Sequence, residues 1–304
     1  MKVALVQWDI AWEKKQKNFD AVERLIAGAA EREPDLVVLP EMFATGFTMR
    51  SEDHVESPAG ETHRFLNEMS RKYRIYVIGG LIERGIEKPR NTVIAFNPEG
   101  DLLGKYQKIH PFSFQGESKY YEPGDRVAIF EMGGFKTAIF ICYDLRFPEV
   151  FRHAVYQGAS LFVVPANWPA SRSHHWQTLL VARAIENQAY VIGANRIGKA
   201  HEELAYPGQS MVISPWGKVV AEAPDREGVT FATIDYAEVE KVRKEYPFLS
   251  DVRRDLYARL YQMPIRKETW GEDEDEAAPG EKPAPSPDAA ASRFSWTSSE
   301  DDDG

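Results

Sequence analysis

Apolar residues in this chain fall into short continuous runs, and the runs alternate with stretches where they recur every three or four positions. Val3 to Gln7 is the first run and predicts a buried strand. Between Lys14 and Glu31, the residues Phe19, Val22, Leu25, Ile26 and Ala29 repeat at helical spacing, so a helix is predicted there. Pro34-Asp35 breaks it, and Leu36 to Leu39 predicts a second strand that closes at Pro40-Glu41. After a turn at Pro58 and Gly60, a helix is predicted over roughly Glu61 to Lys72 and a strand over Ile75 to Gly79. This strand–helix alternation is that of a layered α/β architecture.

The pattern then changes to hairpins. Thr92 to Phe96, the turn Asn97-Pro98-Glu99-Gly100 and Leu102 to Tyr106 predict strand–turn–strand, and Lys108 follows in an aromatic loop that runs to Gly124. Ile129-Phe130 is a short strand. Ala138 to Ile141, bounded upstream by Gly133-Gly134, reads as a strand buried on both faces. Pro148 to Gln157 predicts a helix, and Leu161 to Val164 a strand closing at Pro165-Ala166-Asn167-Trp168-Pro169. Trp176, Leu179, Leu180, Ala184 and Ile185 give a helix over His174 to Asn187. Strands are predicted at Tyr190 to Ala194, Met211 to Ser214, Lys218 to Glu222 and Phe231 to Ile234, and a last helix at Tyr236 to Lys244. The sum is a mixed sheet or a pair of sheets flanked by helices. No repeat of fixed period occurs, and no linker precedes Arg266, so residues 1–266 are expected to form one large domain.

Composition refines this picture at one end. The 304 residues carry a formal net charge of −10, but the stretch from Glu268 to Gly304 holds 12 acidic and 2 basic residues and accounts for all of it. The electrically balanced body lacks the basic excess of a nucleic-acid binder. The terminal stretch 267–304, rich in Ala, Pro, Ser and acid, cannot bury enough apolar surface to offset its ordering entropy and is expected to be disordered. Phe294 and Trp296 interrupt it. No apolar run approaches membrane-spanning length, and Met1-Lys2 leads straight into a strand-like segment, so a soluble, cytoplasmic protein is expected. The single cysteine excludes an intramolecular disulfide and a cysteine-based zinc cage.

That cysteine, Cys142, stands at the carboxyl end of the Ala138–Ile141 run, where α/β sheets place reactive groups. A free cysteine can equally be a small buried hydrophobe. Attack on a carbonyl or nitrile carbon needs a thiolate, a group to take the proton, and a positive partner for the developing oxyanion. His153, His174 and His175 follow the cysteine, but none closes a strand, and His174-His175 opens a helix. Two other strand exits are better placed. Leu36-Val37-Val38-Leu39-Pro40 delivers Glu41 to a loop, and Lys108 lies just beyond a hairpin strand. Taken singly, Glu41 could be a helix cap and Lys108 a solvated charge.

The flanking residues decide between these readings. Pro40-Glu41-Met42-Phe43 with Gly46-Phe47, Tyr106-Gln107-Lys108 with Gly116-Glu117, and Cys142-Tyr143-Asp144-Leu145-Arg146-Phe147-Pro148 resemble the three signatures of the nitrilase superfamily of carbon–nitrogen hydrolases, in that family's order. The resemblance continues through Asn167-Trp168-Pro169, Ala182 to Gln188, Asn195-Arg196 and Gly208-Gln209-Ser210, and spans roughly Val3 to Ile234. The wording is most similar to the omega-amidase branch. The resemblance implies a four-layer αββα sandwich, a single large α/β domain that pairs into a homodimer. It implies Glu41 as general base, Lys108 as oxyanion and proton-transfer partner, Cys142 as nucleophile, and Glu117 as a second glutamate ordering the lysine and substrate. It also implies a small-molecule amide substrate, such as a 2-oxo dicarboxylic acid monoamide, with no metal and no organic cofactor. The backbone N–H of Tyr143 is expected to face the oxyanion. The far carboxylate of such a substrate wants a cation, for which Arg172 is the candidate, a salt bridge to a helix or dimer mate being the alternative. Phe43, Phe114, Tyr143 and Trp168 are expected to wall the pocket, unless they are ordinary core.

Overall fold

A computed structural model describes residues 1–200 and 204–263. The expected domain boundary at 266 and the acidic stretch 267–304 lie outside the described residues. In chain order the strands are β1 (Lys2–Gln7), β2 (Leu36–Val38), β3 (Tyr76–Glu83), β4 (Arg90–Phe96), β5 (Leu102–Gln107), β6 (Ile129–Met132), β7 (Phe135–Ile139), β8 (Leu161–Ala166), β9 (Tyr190–Asn195), β10 (Ile197–Ala200), β11 (Leu204–Pro207), β12 (Met211–Ile213), β13 (Val219–Glu222) and β14 (Gly228–Thr233). The helices are α1 (Lys15–Ala30), α2 (Ser51–His54), α3 (Glu61–Tyr73), α4 (Glu117–Tyr120), α5 (Pro148–Tyr156), α6 (Ser173–Asn187) and α7 (Tyr236–Glu245), all within a unit spanning residues 1–252. A second unit begins at Arg253, and its described helix is α8 (Arg254–Gln262).

Two six-stranded sheets are built alike. One has the order β14-β1-β2-β3-β4-β5 and the other β13-β12-β9-β8-β7-β6. Each has three parallel central strands, β1-β2-β3 and β7-β8-β9, extended on both sides by antiparallel neighbours. Side-chain alternation sorts the layers. Val3, Leu5, Leu36 and Val38 join a core with Ala138, Leu161 and Val163 of the other sheet, whereas Ala4, Val6, Val37 and Leu39 pack on Phe19, Val22 and Ile26 of α1 and Leu66 and Met69 of α3. Phe151 and Ala154 of α5, with Trp176, Leu180 and Ala184 of α6, cover the second sheet. The result is the expected αββα sandwich, and it explains why the central strands read as continuous apolar runs: both faces are dry.

The differences from expectation are local. β3 runs past the expected end at Gly79 to Glu83, and Gly80 within it is a place of close approach: a Cβ there would sit 2.6 Å from the backbone N of Met42. The β10–β11 hairpin, the single-turn helices α2 and α4, and α8 carry too little periodic apolar pattern to be predicted.

Candidate active site

Three segments converge at the carboxyl ends of the parallel strands. After β2 the Leu39 N–H still bonds to Ile78 O at 2.9 Å, then Glu41 passes into a tight turn in which Met42 takes φ +45° and the N–H groups of Thr45 and Gly46 return to its carbonyl. Lys108 follows β5 with its N–H on Asn91 O at 2.9 Å, so register with β4 sets its position. The cysteine segment continues β7 through the Phe140 N–H to Val163 O bond, 3.0 Å, and Cys142 at φ +45° then opens a 3₁₀ turn over Cys142–Arg146. A left-handed conformation at a residue with a Cβ costs roughly 1–2 kcal/mol and marks an elbow the surroundings enforce.

At the centre, Lys108 is buried between two fully buried carboxylates. Its Nζ lies 3.1 Å from Glu41 Oε1, 2.8 Å from Glu117 Oε2 and 3.1 Å from Glu117 Oε1. The Asn91 Nδ2 donates to Glu41 Oε1 at 2.7 Å and to Glu117 Oε1 at 3.0 Å, tying the two acids together. Glu41 Oε2 accepts the backbone N–H of Asn167 at 2.9 Å, and the Asn167 side-chain amide donates to Glu41 O at 2.7 Å. The Phe112 N–H donates to Glu117 Oε2. Cys142, partly exposed, lines the same cavity as Glu41 and Lys108.

The charges follow from this packing. Burial disfavours the Lys108 ammonium, but the carboxylates of Glu117 and Glu41 outweigh it, and the net effect holds the lysine charged. Burial pushes the Glu117 carboxyl up, against the pull of Lys108. Burial also pushes the Cys142 thiol well above its ordinary value, the Glu41 charge adds to that, and Lys108 and the Asn167 N–H oppose it. The resting sulfur is therefore a thiol beside a buried carboxylate and a fixed cation, an arrangement suited to nucleophilic addition coupled to proton transfer.

The cavity is partly open to solvent. Of the residues expected to wall it, Tyr143, Trp168 and Arg172 do so. Phe43 does not: it is fully buried behind Glu41, against Trp8, Phe19 and Phe65, because the turn at Met42 sends it into the core under α1 and α3. Phe114 does not either, being 84% exposed. The short 3₁₀ helix Ser113–Gln115 repeats every three residues, which brings Phe112 and Gln115 to the cavity and leaves Phe114 facing water. His174 and His175 are exposed residues of the first turn of α6.

Sequence reasoning missed several residues that line or brace the site. Phe112 packs 4.7 Å from Tyr143, and Tyr206 enters from the unpredicted strand β11. The Arg146 guanidinium lies 4.8 Å from the Trp168 ring centroid, and that of Arg172 lies 5.6 Å from the Phe112 ring centroid. Burial, then the charge of Arg172, push the Arg146 guanidinium down, and neither arginine is ion-paired to a carboxylate among the described residues. Trp168 is pinned by Asn195, which accepts its N–H at 2.8 Å and donates to its carbonyl at 3.0 Å, and by its Nε1–H to Arg172 O at 2.8 Å. Arg146 and Asn195 stand within the motifs, and position in the motif was the available signal; Asn91, a polar residue in an apolar strand, offered only that. No group of three or more His, Cys, Asp or Glu side chains among the described residues is arranged to hold a metal ion.

Comparison with known proteins agrees with the geometry. A family model described as carbon–nitrogen hydrolase matches residues 2–244. The chain is 34% identical over 257 residues to a 2-oxoglutaramate amidase of Bacillus subtilis, covering 84% of this chain and 98% of the relative. It is 35% identical over 267 residues to omega-amidase NIT2-A of Xenopus laevis, with 84% and 96% covered. Among solved structures, a CN-hydrolase superfamily protein of Xanthomonas campestris, with an arsenic adduct in its active site, superposes with a TM-score of 0.79 at 32% identity over 83% of this chain and 97% of that one. A match to the family model over most of the length, on a fold of this architecture, makes the chain a member of the carbon–nitrogen hydrolase family, an enzyme acting on carbon–nitrogen bonds.

Proposed function

We propose that this hydrolase is a cysteine amidase that releases ammonia from the terminal amide of a small 2-oxo dicarboxylic acid monoamide of the 2-oxoglutaramate kind. The observation that carries the substrate class is the pair Arg146 and Arg172, two guanidinium groups without carboxylate partners among the described residues, in the cavity that also holds Cys142. Two unneutralised cations lining one cavity suit a carboxylate, which guanidinium binds bidentately. Relatives with the names 2-oxoglutaramate amidase and omega-amidase support the same reading.

In this mechanism the Glu41 carboxylate takes the thiol proton as the Cys142 sulfur bonds to the amide carbon. The carbonyl electrons move to oxygen, which meets the Lys108 ammonium and the Tyr143 N–H; losing one such donor typically costs ~10²–10³ in turnover. Glu41 returns its proton to nitrogen as the C–N bond breaks, and ammonia departs. Glu41 then deprotonates a water that attacks the thioester, giving the acid and the free thiol. Glu117 keeps Lys108 in place, and Trp168 walls the substrate.

Ammonia release from 2-oxoglutaramate is the direct test, with Cys142→Ala as control. Equal release by both proteins overturns the mechanism. Release by neither, with turnover of nitriles or carbamoyl amines instead, overturns the substrate alone. Arg172→Ala should raise KM for acidic amides and leave neutral ones unchanged; equal kinetics for both would remove Arg172 from the substrate site. The reading includes a cytoplasmic protein with a catalytic domain of residues 1–266, and a homodimer that the family resemblance implies and that sedimentation tests.

A further inference from the structure

Asp144 is fully buried two residues beyond Cys142, yet it takes no part in the chemistry above. Its carboxylate collects four donors. Oδ2 accepts the Tyr106 hydroxyl at 2.8 Å and the Ile141 N–H at 3.0 Å; Oδ1 accepts the His110 N–H at 3.0 Å and meets His110 Nδ1 at 2.7 Å. These donors are not scattered. Tyr106 and His110 stand two residues before and two after Lys108, and Ile141 immediately precedes Cys142. One carboxylate therefore grips the lysine segment on both sides and the cysteine segment at its elbow.

We propose that Asp144 is a positioning residue that holds the Lys108 and Cys142 segments in one register for the reaction. The physical need is visible at Cys142, whose φ of +45° is a conformation that local sterics oppose and that the Ile141 N–H bond helps impose. The segments come from different sheets, β5 of the first and β7 of the second, so register within a sheet cannot fix their separation. The Tyr106 ring reinforces the tie by packing edge-on to Phe140 at 5.6 Å, and His110 stacks on Phe147 at 3.7 Å. Charged acceptors make the stronger hydrogen bonds, and a buried one leaves its donors no alternative in water.

The proposal rests on the amidase reading, and the test separates the two. Asp144→Asn keeps the shape, but whichever way its amide is turned, an NH₂ group faces either the Ile141 N–H or the His110 N–H. The expected result is a fall in kcat on the order of 10²-fold, the cost of a misplacement near 1 Å, with a much smaller change in KM. The alkylation rate of Cys142 by iodoacetamide should change in parallel, a readout independent of the true substrate. Tyr106→Phe, which removes one donor and keeps the ring, should lower kcat on the order of tenfold, the worth of one hydrogen bond to a charged group. If both variants fold and keep wild-type kcat and alkylation rate, Asp144 only supports the fold and the proposal falls. If Asp144→Asn does not fold, Tyr106→Phe decides. Absence of amidase activity in the wild type, with alkylation still altered in the variants, would overturn the substrate and leave the positioning role standing.

Discussion

Cys142 is held as a thiol by burial and by the Glu41 charge, with Lys108 pulling the other way. Alkylation proceeds through the thiolate, so its rate in the free enzyme should climb about tenfold per pH unit. Because the shift is upward from 9.0, no plateau is expected below that pH. A plateau near neutrality, measured by mass spectrometry after timed iodoacetamide treatment, would mean a preformed thiolate and a different proton path. Two phenylalanines separate packing from binding at the same scale. Phe43→Ala should destabilise the fold by about 3–5 kcal/mol, as for other buried aromatics, seen as a lower denaturation midpoint. Phe114→Ala, at an exposed position, should change stability by less than about 0.5 kcal/mol and leave KM unchanged.

Among the elements, β3 is the one whose length and composition the site depends on. Glu41 and Met42 cross it at Gly80, where a methyl group would stand 2.6 Å from the Met42 N and 3.3 Å from the Glu41 Cα. Backbone cannot retreat as a flexible side chain does. Gly80→Ala should therefore displace the Glu41 turn and lower kcat by about 10²-fold while the protein still folds. Wild-type turnover in a folded Gly80→Ala protein would show that the turn is free to shift. β3 continues beyond Gly79, where the sequence predicts its end, and Gly80 within it provides the clearance for the Glu41–Met42 backbone.

For the whole molecule, the acidic stretch sets the net charge, while the balanced remainder holds every residue placed at the site. Deleting residues 268–304 should leave ammonia release unchanged within about twofold, and leave the sedimentation coefficient that of the same oligomer less the deleted mass. Loss of activity or of the assembly would give the segment a structural role. Of the fold, the parallel central strands and the long helices α1, α3 and α6 were legible because their faces are dry and their apolar periods unbroken. The hairpin β10–β11 was not, since its residues owe their strand conformation to partners rather than to pattern.

The chain by itself placed Glu41 and Cys142 at the ends of apolar strands and Lys108 just past a hairpin strand, but it was the family-like motifs around them that singled the three out together. The same resemblance implies Glu117, whereas Trp168 and Arg172 are candidates as a pocket wall and as the cation that an acidic substrate needs. Which side chains meet was decided only in three dimensions. Asn91 of β4 bridges two carboxylates, Arg146 joins Arg172 in lining the cavity, and a single 3₁₀ turn exchanges Phe114 for Phe112. The physical reason is that an apolar period reports which face of an element is buried, whereas a site is assembled from the ends of elements, where the chain turns and the period stops.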